Sequence, residues 1–118
     1  MMAMTPEQAE LLAQVRALIA DEGTVREVSM FGGRAVMVDE RMLVSVQKDG
    51  TLLARVDAER HDELLTRPGA AQAQMGAGRS MGPGWIEVAA EALAEDEGLE
   101  AWIGVAREHH RAETGARR

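Results

Sequence analysis

At 118 residues, 46% of them hydrophobic, the chain has the length of one domain and enough apolar side chains for a core. It has no cysteine, which excludes disulfides and thiolate metal sites, and its formal net charge of −7 disfavours direct nucleic-acid binding, which needs a clustered basic face to neutralise phosphates. The opening MMAMTPEQAE has neither the basic nor the apolar region of a signal peptide, and no run approaches the ~18 apolar residues of a membrane span, so a cytoplasmic protein without membrane segments is expected.

In chain order, Thr5-Pro6-Glu7-Gln8 reads as N-cap, first-turn proline and capping-box glutamine. Leu11, Leu12, Val15, Leu18 and Ile19 follow at helical spacing, and Gly23 supplies a stop. Four strands are then expected: Val25 to Met30, Arg34 to Asp39, Met42 to Gln47 and Leu52 to Val56. In the third, Met42, Val44 and Val46 alternate with Leu43, Ser45 and Gln47, the two-residue period of a half-buried strand. Tight turns at Asp39 to Arg41 and at Asp49-Gly50 make neighbours antiparallel, so the block is a meander.

Asp57 caps a short expected helix, Ala58 to Thr66, stopped by Pro68-Gly69. The glycine-rich segment 69–84 reads as a loop, and Trp85 to Val88 as a last short strand. Glu95 and Asp96 open a C-terminal helix in which Leu99, Trp102, Ile103 and Ala106 form an apolar stripe that places Trp102 in the core. The terminal ETGARR is expected to fray, leaving an ordered core over about 5–112. This order implies a single two-layer α+β domain spanning 1–118. An antiparallel meander sheet is packed on one face by N-terminal, middle and C-terminal helices.

The glycine segment fails as a phosphate loop. The only lysine, Lys48, is far from it; Gly76 and Gly78 are followed by Met81 where a third glycine is needed; and the segment runs from helix to strand rather than strand to helix. His109 and His110 are adjacent and point about 100° apart on a helix, a poor geometry for one metal. Asp57 and His61, four residues apart, read as a solvated helix pair. No serine has a nucleophile-elbow context. Neither catalytic residues nor metal ligands nor a cofactor are expected, and the balance is against an enzyme. Arg55 within a strand and Arg79 within the glycine segment are the two cations placed to capture an anion. The eight methionines could form an adaptable binding face.

EVSMFGGRAVMVDERMLVSV, LLARVD, GRSMGPGWIEV and DEGLEAWIGVA, in this order, resemble the N-terminal domain of the TfoX/Sxy competence regulators and its single-domain relatives, over about residues 24–107. The features that carry the resemblance are Met30-Phe31-Gly32-Gly33, Arg55-Val56, Gly78, Arg79 and Met81, and Leu99 with Trp102. Ser80 stands where the family has proline. The resemblance implies the α+β fold. The full regulators add a second domain resembling a nucleic-acid-binding helix-hairpin-helix, so gene activation is not implied for this part. Abundant Arg, Ala and Gly suggest a GC-rich bacterial genome.

From these residues we expect an interaction module that serves regulation through an unidentified protein partner. The alternative is a small-molecule or anion binder using Arg55, Arg79 and the glycine segment. The candidate contact residues are Phe31, Gly32, Gly33, Arg55, Arg79 and Met81. Gly32-Gly33 is read as backbone geometry rather than a ligand cradle. Strands apolar on both faces leave one sheet face without a helical cover, which points to a homodimer or to the glycine segment folding back over that face.

Overall fold

The computed structural model describes residues 5–21, 23–30, 33–74 and 78–115. The elements are α1 (Pro6–Leu18), β1 (Val25–Met30), β2 (Gly33–Val38), β3 (Arg41–Gln47), β4 (Leu52–Arg55), α2 (His61–Leu64, entered through a 3-10 turn at Ala58–Arg60), β5 (Ala70–Gln72), β6 (Trp85–Val88), α3 (Ala90–Leu93) and α4 (Asp96–Gly115). The six strands form one antiparallel sheet in the order β1-β2-β3-β4-β6-β5. The α+β expectation is met. No helix among the described residues is long and apolar enough to cross a membrane.

Thr5 caps α1, its hydroxyl oxygen accepting the Gln8 N–H at 3.1 Å. Gln8 does not complete a capping box. Its side chain is buried and donates to the Val46 carbonyl at 2.9 Å, which ties α1 to β3. The helix also ends before Gly23, with Ile19 as its C-cap. Leu11, Leu12, Val15 and Ile19 then join Leu99, Trp102, Ile103 and Ala106 of α4 over Val36, Val38, Val44, Val46, Ile86 and Val88 of the sheet. Trp102 is 3% exposed, as its stripe position predicts, and the Arg67 guanidinium lies 5.6 Å from its ring centroid.

Four local expectations need correction. The third strand does not alternate strictly. Val36 pairs with Val44 but Met37 pairs with Met42, so β3 carries one extra residue there. That bulge turns both Leu43 and Val44 into the helix-side core and Met42 to the opposite face. The glycine segment is not all loop, since Ala70–Gln72 adds a sixth strand beside β6. The middle helix is a 3-10 turn plus one α turn, and a separate α3 precedes the C-terminal helix. Lastly, α4 runs on to Gly115 where fraying was expected.

Candidate functional site

Strand alternation gives the sheet a second, outer face, away from α1 and α4. Ala35, Met42, Leu53 and Ala73 are buried there in a small apolar cluster of their own, with Met37, Met81 and Trp85 packed around it and only partly covered. Ser45 is fully buried between these residues in register and receives the Gln47 amide at 3.4 Å. Ala73 and Met81 come from the glycine segment, which therefore does fold back over the outer face. The Met81 N–H donates to the Ala73 carbonyl at 2.9 Å, the Ala73 N–H to the Trp85 carbonyl at 3.2 Å, and Gln74 bridges Ser80.

A chain of hydrogen bonds clamps this cover to the helix side. The Gly84 N–H, which can only donate, points at Nδ1 of His61 at 2.9 Å. The ring proton must then sit on Nε2, which donates to the side-chain amide oxygen Oε1 of Gln72 at 2.7 Å. The Gln72 amide nitrogen in turn donates to the Gly82 carbonyl at 3.0 Å, with the Ala73 and Trp85 carbonyls at 3.2 and 3.3 Å. His61 is thus a buried fastener and not the solvated partner of Asp57, whose carboxylate instead accepts the Glu59 N–H. The sequence reading missed His61 and Gln72 as a pair because neither has a local partner. Ser80 accepts the Gly82 N–H at 3.0 Å and keeps the turn closed.

The expected site residues separate into four groups. Met81 lies on the outer face, and Arg55 lies at its end, where β4 pairs it with Trp85. The Arg55 guanidinium is 5.6 Å from the Trp85 ring centroid and 3.2 Å from the Glu113 carboxylate. Arg41 and His109 approach the same carboxylate at 3.6 Å each. Arg79 is exposed beside Gly78, and among the described residues no hydrogen bond or ion pair joins it to Arg55. Gly33 is held by space: a Cβ there would stand 2.7 Å from the Val46 carbonyl oxygen, in the neighbouring strand. Phe31 and Gly32 lie outside the described residues.

His110 donates to the Val38 carbonyl at 2.8 Å while His109 turns to Glu113, so the adjacent histidines serve different neighbours. Among the described residues no three His, Cys, Asp or Glu side chains converge as metal ligands would.

The order of these features was the ground for the family resemblance, and the comparison with family models decides it. The model of the TfoX N-terminal domain matches residues 17–109, well over half of the chain. The chain belongs to the TfoX N-terminal domain family. None of the curated proteins matches it. In this TfoX N-terminal domain the match runs from the end of α1 to His109 of α4, so it takes in the whole sheet, the folded-back segment and Arg55, while Glu113 lies four residues beyond it. Membership makes it a domain associated with regulation.

Proposed function

We propose that this TfoX N-terminal domain is a non-enzymatic interaction module that presents its outer sheet face to a protein partner in regulation. The observation that supports this reading is the half-covered apolar cluster, with Met37, Met81 and Trp85 at its surface and Arg55 at its end. Methionines adapt to irregular partners, and Trp with Arg is the pairing enriched where interfaces concentrate their binding energy. The experiment is capture of partners with the tagged chain, compared with Met37→Asp/Met81→Asp. The variant loses a partner that the native chain retains, while its melting temperature stays within a few degrees. Equal capture by both chains overturns the reading.

A second reading, an anion binder, draws on one observation. Arg41, Arg55 and His109 all face a single carboxylate, Glu113. A carboxylate or phosphate that displaced Glu113 would meet two guanidinium groups. A thermal-shift panel of small acids and phosphates tests it, since ligand binding to the native state raises the melting temperature. A specific shift that Arg55→Gln abolishes supports this reading, and a flat panel removes it.

A further inference from the structure

The arginines of the anion reading lie against the apolar surface of the interaction reading, and Trp85 is the side chain that joins them. Its ring packs around the outer-face cluster, as Met81 does, and the Arg55 guanidinium stands 5.6 Å from its centroid. Trp85, Met81, Arg41 and Arg55 all keep part of their surface open to solvent. In a chain whose net charge is −7, two guanidinium groups and His109 here face one carboxylate. The acids that share a depression with His109 are engaged elsewhere: Glu108 pairs with Arg60, and the Asp57 carboxylate accepts the Glu59 N–H.

Glu113 fills this seat incompletely. Its Oε2 accepts one Arg55 N–H at 3.2 Å. Its Oε1 stays 3.6 Å from both Arg41 Nη1 and His109 Nε2, beyond hydrogen-bond range. A guanidinium presents a planar fork of N–H donors that a fitted carboxylate meets with both oxygens, so Glu113 leaves most of the available bonding unused. It is also dispensable to the seating of its helix. His110 holds the same turn of α4 through the Val38 carbonyl at 2.8 Å, and buried Ala106 and Trp102 anchor the turns before it. The Glu113 side chain can therefore swing out while α4 stays on the sheet.

We propose that Glu113 is a built-in competitor, and that the seat it occupies takes the carboxylate of an acidic–apolar peptide segment of a partner protein. The proposal rests on both readings above and makes them one site. In an extended segment, side chains two residues apart lie on the same side, about 7 Å from each other. That spacing suits the 5.6 Å between the guanidinium and the ring centroid. An Asp or Glu of the segment meets Arg41 and Arg55, while an apolar residue two positions away covers Trp85 and Met81. A segment acidic throughout is disfavoured, because Glu87, the next outward residue after Trp85 on β6, repels it. A free phosphate takes the seat but leaves Trp85 and Met81 uncovered.

The test starts from a displayed library of random peptides of about eight residues, selected on the immobilised full chain. The enriched peptides should carry one Asp or Glu with an apolar residue two positions away. The best of them is labelled with fluorescein and titrated by anisotropy, beside the same peptide with Asn or Gln in place of its acid. The amide version should bind about tenfold more weakly, and Arg55→Gln should weaken the acidic peptide by about as much. Because Arg55 also covers the Trp85 ring, Arg41→Gln is the control for charge, and it should weaken binding too. Glu113→Gln, which vacates the seat, should tighten binding by about threefold, with unchanged circular dichroism. Unaltered or weaker binding by Glu113→Gln overturns the competitor role. Equal binding of acidic and amide peptides, lost in Met37→Asp/Met81→Asp, overturns the proposal and leaves the interaction reading standing. A thermal shift with glutarate or inorganic phosphate that requires Arg55, with no peptide enriched, overturns it and leaves the anion reading standing.

Discussion

His61 shows what a single residue contributes to the candidate site. Its two ring nitrogens join Gly84 to Gln72, and through Gln72 they reach Gly82. Replacing it by Phe keeps an aromatic ring but leaves the Gly84 N–H and the Gln72 side-chain oxygen Oε1 without their His61 partner. The expected cost is about 1–3 kcal/mol in chemical denaturation. Amide exchange should quicken at Gly84, Ala73 and Met81 before the rest of the sheet, and uniform exchange across β2 to β4 would show that the fastener is not local. The partners of His61 stand 11 and 23 residues away, so helical spacing offered only Asp57 as a neighbour. Trp102, by contrast, was readable, because its stripe with Leu99, Ile103 and Ala106 is a local pattern.

Elements were legible where their patterns are periodic and were lost where one residue breaks the period. The bulge in β3 leaves the apolar–polar alternation of the sequence intact while moving Met42 to the outer face, and only pairing with β2 reveals it. Ala70–Gln72 has no β-branched or aromatic residue to announce a strand, and it is held as one by pairing with β6.

Two glycines of α4 make opposite predictions from the same chemistry. A Cβ on Gly98 would overlap the Ala92 carbonyl oxygen at the α3–α4 corner, whereas nothing lies within 4 Å of one on Gly104. Gly104→Ala is expected to stabilise by about 0.5–1 kcal/mol through helix propensity, and Gly98→Ala to destabilise despite it. Paired denaturation curves check both, and stabilisation by each would mean that the corner yields.

The β3–β4 turn carries a pH-dependent element. The Thr51 hydroxyl and N–H donate to the Asp49 carboxylate at 2.8 and 3.1 Å and hold it below the usual aspartate range. Because the folded value lies below the unfolded one, the stabilisation is fully present at neutral pH and is lost as the pH falls through the folded value. Thr51→Val should raise the Asp49 midpoint in an NMR titration. The stability gap between native and variant chains should narrow in acid, and an unmoved midpoint would remove the cause assigned here.

For the whole molecule, the α+β class and the helix-covered sheet were legible, whereas the faces of Met42 and Leu43, the sixth strand and α3 were not. What covers the outer face was not, because it depends on a segment that reads as loop and is pinned by distant side chains. With Ala73 and Met81 in place, the pressure to pair two copies is reduced, and light scattering at micromolar concentration is expected to return the 12.8 kDa of one chain. A mass that doubles with concentration would show that the remaining patch joins two copies instead. The strand order has its own consequence for assembly. The first four strands pair with their sequence neighbours and close cheaply, but β6 enters between β4 and β5, both of which precede it in the chain. A chain growing from its N-terminus thus holds the β4 edge open, with β5 unpaired, until Trp85–Val88 emerges to join them. During synthesis, the strand that closes the sheet's interior arrives last.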